Sequence, residues 1–241
     1  MHRFSSLFSL TLVAAGVLLA SGCAKGPAGG PVVPAPNRLT VTLTTQDVIN
    51  NSGYIYAFAF DDDDDSSDGP GALVTSTVLP NGVVGGSFTV LVLYQGGTFQ
   101  AFRRTVLVNG SEALERSTNA FVPFPSPATG RTISFTLNLD ATTANTGTRL
   151  FRTDAQRLDI NFVTTNERRL DPNNNLLKTY DAFGARLPNF WITRDIRGTI
   201  TYTNNGTESL TTNDVVTDAP IGSVNLNQLN IVDFTIGVER S

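Results

Sequence analysis

Residues 54–60 are Tyr-Ile-Tyr-Ala-Phe-Ala-Phe, and residues 61–71, which follow directly, are Asp-Asp-Asp-Asp-Asp-Ser-Ser-Asp-Gly-Pro-Gly. Successive side chains of a β-strand point to opposite faces, so the four aromatic residues of the first segment would share one face. Ile55 and the two alanines would form the other face, which is also apolar. A short strand with two apolar faces is typical of the middle of a sheet that is covered on both sides. We therefore predict that residues 54–60 form a central strand.

Alternation of apolar and polar residues continues through most of the chain after residue 37, as in Leu39, Val41 and Leu43. Helical periodicity is nearly absent, and we expect only short turns at 111–117 and 176–183. Nine or more strands joined by polar turns predict an all-β fold, an antiparallel β-sandwich. The predicted strands cover residues 38–44, 54–60, 88–94, 99–108, 132–139, 158–164, 190–193, 198–203 and 232–238.

The first residues of the chain have the pattern of an export signal. His2 and Arg3 precede an apolar segment at 7–20, which is too short to span a membrane permanently. The sequence Leu19-Ala-Ser-Gly-Cys23 resembles the lipobox of bacterial lipoproteins. The resemblance implies that residues 1–22 are removed and that Cys23 carries a diacylglycerol and an acylated amino group. In that family an aspartate after the cysteine favours retention in the inner membrane, so Ala24 favours the outer membrane.

Residues 23–37 contain several prolines and glycines and have no hydrophobic periodicity, so we expect a lipidated tether to the membrane. The remaining residues, 38–241, are predicted to form one β-sandwich domain. The alternative is a division into two domains within 140–156, where the sequence is polar and unpatterned.

The residue inventory limits the chemistry of the predicted domain. His2 is the only histidine and Cys23 the only cysteine, so a domain that begins after the signal has no imidazole and no free thiol. This excludes histidine-dependent triads, zinc sites built on His or Cys, and haem ligation. The chain has a net charge of −4 and only two lysines, Lys25 and Lys178. Because a nucleic-acid partner requires a basic surface, we expect none.

The acidic run predicts a cation site. The pattern Asp64-x-Ser66-x-Asp68-Gly69 has the spacing of a calcium loop, in which alternate side chains point at one ion and glycine permits the turn. Asp62 is a further expected ligand, and Asp61 to Asp63 are alternative ones. Thr75 stands where an EF-hand has its glutamate, so the loop is not an EF-hand. The alternative interpretation is a solvated hairpin tip that binds no ion.

The strand followed by an Asp-rich turn, residues 53–72, is similar to an arrangement in extracellular β-sandwich carbohydrate-binding modules, including the family 9 and DOMON-like group. The resemblance implies that loops at the sheet edge hold calcium or contact a sugar. Trp191 and Tyr180 are the candidate ligand-binding residues, because sugar-binding sandwiches stack pyranose rings on such side chains. Packing of Trp191 in the core is the alternative.

These features support three hypotheses. The first is a non-enzymatic, membrane-anchored module that binds a carbohydrate or a protein of the cell envelope. The second is an envelope hydrolase of glycosidase type, which needs only two suitably spaced carboxylates. The third is a structural envelope component without a small ligand. Candidate carboxylates for the hydrolase are Glu112, Glu115, Asp159, Glu167, Asp171, Asp181, Asp195 and Glu208.

Overall fold

A computed structural model describes residues 37–72, 82–106, 112–166, 179–184, 190–209, 211–217 and 224–240. The predicted signal, Cys23 and all of the predicted tether except Asn37 lie outside these ranges. The described residues belong to one compact unit that extends over residues 35–241. They contain no apolar helix of the length that a membrane crossing requires.

The regular secondary structure of the described residues consists of β-strands and one short 3₁₀ turn at Leu226–Gln228. In chain order the strands are β1 (Arg38–Thr45), β2 (Ile55–Asp61), β3 (Pro70–Ala72), β4 (Val84–Gly86), β5 (Val90–Gln95), β6 (Thr98–Val106), β7 (Glu112–Ser117), β8 (Thr132–Asn138), β9 (Arg157–Thr165), β10 (Thr179–Ala182), β11 (Ile192–Asp195), β12 (Ile200–Thr203), β13 (Val216–Thr217) and β14 (Ile231–Glu239).

Two antiparallel sheets face each other. The smaller sheet has the order β12-β14-β1-β8, and the larger has the order β13-β10-β9-β2-β5-β6-β7, with β11 also paired to β9. Strands β3 and β4 form a separate hairpin. One cluster of buried side chains includes Leu39 and Val41 of the small sheet and Phe58 and Phe162 of the large one. The prediction of an all-β, antiparallel sandwich is confirmed.

Strand β2 lies in the middle of the large sheet, between β9 and β5, and every one of its residues is buried. Its aromatic face packs into the core between the sheets. There the centroid of the Phe58 ring lies 4.8 Å from the centroid of the Phe135 ring in the small sheet. Its opposite face, Ile55 with Ala57 and Ala59, packs into a second buried cluster together with Phe88. The prediction of a central strand with two apolar faces is confirmed.

Two predicted turns are strands. Residues 112–117 of the first form β7, which pairs along its length with β6. Residues 179–182 of the second form β10, which pairs with β9 and β13. The prediction was wrong because polar residues occupy the inward positions: Glu115 and Ser117 are buried on β7, as is Asp181 on β10. Pairing with a neighbouring strand outweighs the weak β-propensity of these segments.

Candidate cation site in the acidic loop

Residues 61–71, here called the acidic loop, begin at the last residue of β2 and end in β3. Asp61 is paired across the sheet with Asp159 of β9. It is 1 % exposed, and neither of its carboxylate oxygens has a hydrogen-bond partner of normal geometry. Burial raises the pKa of Asp61 to about 6; the nearby Ser87 hydroxyl lowers it and the carboxylates of Asp63, Asp62 and Asp68 raise it. A buried carboxylate of this kind needs either a proton or a cation.

Three carboxylates of the acidic loop converge. Asp61, Asp63 and Asp68 each have an oxygen within 4.8 Å of the others. Asp61 is buried, whereas Asp63 and Asp68 are exposed. A group of carboxylate oxygens with one solvent-facing side suits a hard cation such as calcium, which takes six to eight oxygen ligands at roughly 2.3–2.6 Å. Water or an oxygen of a bound molecule can supply the remaining ligands from the open side.

Of the predicted aspartate ligands, the structure brings Asp68 but not Asp62 or Asp64 into this group, and joins it to the alternative ligands Asp61 and Asp63. Strand geometry explains the difference. Because β2 continues through Asp61, the side chain of Asp61 projects on the face of Ala59, and that of Asp62 projects on the face of Phe60, toward the interior.

Asp62 and Asp64 hold another segment of the chain. Oδ2 of Asp62 accepts a hydrogen bond of 2.5 Å from the Arg152 backbone N–H and lies 3.4 Å from Nη1 of Arg103. Asp64 has a φ of 69°, and its Oδ1 accepts the backbone N–H groups of Gln156 at 2.9 Å and Arg157 at 3.0 Å. These two aspartates therefore fasten residues 152–157 to the acidic loop. Ser66 is exposed.

Two arginines reinforce the backbone of the acidic loop. Nη1 of Arg152 donates to the carbonyl oxygens of Asp63 at 2.9 Å and Asp62 at 3.3 Å. Nη2 of Arg157 donates to the carbonyl oxygen of Asp64. Within the described part of the chain, no arginine forms an ion pair with Asp61, Asp63 or Asp68. The backbone is thus fixed by guanidinium groups that leave the charge of the three clustered carboxylates uncompensated.

Trp191 lies against the end of the acidic loop. A Cβ atom on Gly69 would be 2.7 Å from Cγ and Cδ2 of the Trp191 ring, so the ring packs directly on the glycine backbone. The side chain of the buried Asn161 fixes this contact, since its Nδ2 donates to the carbonyl oxygens of Pro70 at 3.1 Å and Phe190 at 2.8 Å. Trp191 is partly exposed, and Gly69, on which its ring packs, is the residue after Asp68.

Tyr180, the other predicted ligand-binding residue, is 3 % exposed on β10. Its ring is enclosed by the sheet and does not lie at the surface beside Trp191. Asn161 was not predicted at all, because a single asparagine in an apolar strand carries no positional signal until its partners are known.

Among the described candidate hydrolase carboxylates, the structure brings Asp181 and Glu208 together, whereas Glu115, Asp159 and Asp195 have other partners. The side chain of Glu115 accepts hydrogen bonds from Asn145 and Thr146, and Asp195 is paired with Arg197. Asp159 accepts the hydroxyl of Thr193, and burial raises its pKa. Asp181 and Glu208 meet in a buried group with Asp214. Glu167 and Asp171 lie outside the described residues, and the side chain of Glu112 is not described.

Comparison with protein-family models, with curated proteins and with solved structures finds no match.

Proposed function

We propose that this chain is a non-enzymatic binding module of the bacterial cell envelope, anchored through a lipid on Cys23, with the outer membrane as the favoured location. Its acidic loop binds calcium beside Trp191, and this edge of the sandwich binds a carbohydrate of the envelope. The observation that carries the proposal is the convergence of Asp61, Asp63 and Asp68 next to a partly exposed tryptophan ring.

Electrostatics favours an ion at this place. Two like charges 4 Å apart repel by about 4 kcal/mol at an effective dielectric constant of about 20, the range typical near a protein surface. Three carboxylates within 4.8 Å of each other are therefore costly unless they share protons or bind a cation. Asp63 and Asp68 are exposed, so a divalent ion can reach their carboxylates directly from solution. Oxygen-only ligands favour calcium over zinc or copper.

The same arrangement supports a carbohydrate ligand. A cation held from one side by three carboxylates has its other side open to hydroxyl oxygens, and a sugar ring has hydroxyl groups on adjacent carbons. The indole of Trp191 supplies an apolar surface beside them, and its position is fixed by Gly69 and by the peptide groups bound to Asn161. Pockets of this kind combine an aromatic wall with a few placed polar groups.

Calcium binding is tested by thermal unfolding of the purified protein after chelation and after addition of calcium. At calcium concentrations of about 100 times Kd, the ion should stabilise the fold by about 2.7 kcal/mol, which raises Tm by roughly 5–10 °C for a chain of this size. The double variant Asp63→Asn/Asp68→Asn should lose most of this rise. Asp65→Asn is the matched control, because Asp65 is exposed in the same loop but is not in the three-carboxylate group.

A calcium response that is the same in the double variant and in the Asp65→Asn control would contradict the assignment of the ion to this loop. A protein whose Tm does not change with calcium would contradict the ion altogether.

Carbohydrate binding is tested by calorimetric titration with defined fragments of envelope polysaccharides, with and without calcium. Trp191→Ala should reduce affinity at least tenfold, and chelation should have a similar effect. Phe124→Ala is the control, since Phe124 is 67 % exposed in the segment between β7 and β8. Equal affinity of the two variants would refute the role of Trp191. Release of new reducing ends from any fragment would show that the protein is a hydrolase.

A further inference from the structure

A second group of carboxylates lies away from the acidic loop. Asp181 belongs to β10, Glu208 follows β12, and Asp214 precedes β13. Each of the three offers an oxygen within 4.8 Å of the others. In the large sheet, β9 separates β10 from β2, the strand that leads into the acidic loop. The two groups are therefore built from different parts of the fold.

The group connects the two sheets. Asp181 is on the large sheet, and its Oδ2 accepts a hydrogen bond of 2.6 Å from the backbone N–H of Ile231, the first residue of β14 in the small sheet. Its Oδ1 accepts the backbone N–H of Ala182 at 2.9 Å. Asp181 is fully buried. Since each carboxylate oxygen has two lone pairs, both oxygens keep one that is available for a cation.

Glu208 is the residue that points to a ligand. It is 4 % exposed, and neither Oε1 nor Oε2 has a hydrogen-bond partner of normal geometry. Within the described residues, no arginine or lysine forms an ion pair with Glu208 or Asp181. A buried polar group without a partner destabilises the fold, and more so when it is charged. Two such oxygens beside the buried carboxylate of Asp181 call for compensation by a proton or a cation.

The backbone around Glu208 is built to hold the side chain in this place. Oδ1 of Asn204 accepts the N–H of Glu208 at 3.0 Å, and Nδ2 of Asn204 donates to the Glu208 carbonyl at 2.9 Å and to that of Val232 at 3.2 Å. Gly206, with a φ of 84°, allows the chain to reverse between them. The loop is thus tied to β14, and Glu208 is turned inward by specific bonds.

We propose that Asp181, Glu208 and Asp214 form a second calcium site, which clips the two sheets together at the end of the sandwich where β10, β13 and β14 meet. The ion would accept electron pairs from both orphan oxygens of Glu208 and from the remaining lone pairs of Asp181. Asp214, which is only half-buried, gives the ion a route from solution. Calcium is favoured over magnesium because magnesium retains several water molecules, and two of these three ligands are closed off from solvent.

Protonation of the carboxylates is the competing way to satisfy this group. Burial raises the pKa of Glu208 to about 9, with Asp181 and Asp214 raising it further and the Gly184 N–H lowering it. Burial likewise raises the pKa of Asp181 to about 8, and Asp214 adds to the effect. If shared protons satisfy the group, neutral substitutions should be tolerated and calcium should not stabilise it. If a cation satisfies the group, neutral substitutions should weaken calcium binding.

The experiment measures the number of calcium ions per chain, by calorimetry and by elemental analysis after gel filtration, on the full-length processed protein in detergent. Calcium chloride is the only added ligand, after removal of metals with a chelator. We expect two ions for the wild type and one for Asp214→Asn. Asp233→Asn, which removes a charge from the neighbouring strand β14 and keeps the acceptor for Phe234, should retain both ions.

Glu208→Gln provides a second variant that resembles the protonated acid. For a calcium site, it should bind one ion and lose about half of the calcium-dependent rise in Tm. Two ions bound by both Asp214→Asn and Glu208→Gln would overturn the proposal. So would a Glu208→Gln variant with wild-type calcium response and unchanged or higher Tm in chelator, the result expected for shared protons alone.

The Asp63→Asn/Asp68→Asn variant separates this site from the one in the acidic loop. It should retain one ion, and that ion should disappear when Asp214→Asn is added. If the loop variant retains every ion that the wild type binds and Asp214→Asn removes one of them, then the acidic-loop proposal fails and the second site stands. If the wild type binds one ion and the loop variant binds none, the second site is refuted and the first stands.

Discussion

At the scale of single residues, Gly69 determines how the acidic loop meets the only tryptophan of the chain. The Trp191 ring occupies the space that a side chain at position 69 would need, at 2.7 Å from a Cβ atom. A non-bonded contact this short does not occur between a Cβ atom and ring carbons, so any larger residue must move the ring or the loop. Because Asp68 directly precedes Gly69, such a movement would also displace a candidate cation ligand.

Gly69→Ala should therefore cost about 1–3 kcal/mol of stability, the usual range for overpacking. It should also expose Trp191 to water, which shifts its fluorescence emission to longer wavelength and increases quenching by iodide. Gly198→Ala is the control, because nothing lies within 4 Å of a Cβ atom there. Unchanged emission and unchanged calcium affinity in Gly69→Ala would show that the ring and the loop are not coupled.

At the scale of secondary-structure elements, β7 shows how an edge strand can depend on polar contacts. Glu115 projects inward from β7, and its Oε1 accepts the N–H groups of Asn145 at 2.9 Å and Thr146 at 2.6 Å. Its Oε2 accepts the Thr146 hydroxyl at 2.7 Å. The carboxylate thereby binds the segment between β8 and β9 to the edge of the large sheet.

Thr146 and the neighbouring donors hold the pKa of Glu115 below its ordinary value of 4.5. A carboxylate whose pKa is lowered by folding stabilises the protein above its unfolded pKa, and this contribution is lost as the pH falls through the folded pKa. Glu115→Gln should therefore lower Tm by a few degrees at pH 7. The difference from the wild type should shrink below about pH 4.5 and vanish at lower pH. A difference that does not depend on pH would show that the charge is irrelevant and that only shape matters.

Alternation in the sequence predicted the elements whose inward residues are apolar, such as β1, β2 and β8. It failed at β7 and β10, where Glu115 and Asp181 point inward, since a polar residue at a buried position inverts the expected pattern. The same limit applies to the candidate sites. The acidic loop is visible in the sequence as a run of aspartates. Which aspartates converge as candidate ion ligands and which bind backbone N–H groups depends on where β2 ends. Asp181 is far in sequence from Glu208 and Asp214, so only the fold shows that the three carboxylates meet.

At the scale of the whole molecule, the two proposed ions would have different roles. The acidic loop leaves one side of its ion exposed, which suits recognition of a ligand. The second group, in which Asp181 and Glu208 are buried, would enclose its ion, which suits stabilisation. With a single cysteine, the chain cannot form an internal disulfide, the usual cross-link of exported domains. Ions that bind only the folded state add their binding free energy to that of folding, and could take the place of such a cross-link.

The proposed location depends on Cys23, which lies outside the described residues. If Cys23 carries lipid, cells supplied with labelled palmitate should incorporate it into the wild-type protein and not into Cys23→Ala. Ser21→Ala should still be labelled, because a small residue remains at that position. Two or more acyl chains are needed for stable anchoring, since one chain holds a protein only marginally. The processed wild type should therefore partition into the detergent phase on Triton X-114 separation, whereas a form that begins after residue 23 should stay in the aqueous phase. Label in Cys23→Ala, or none in the wild type, would refute the anchor and with it the proposed place of the binding module at the membrane.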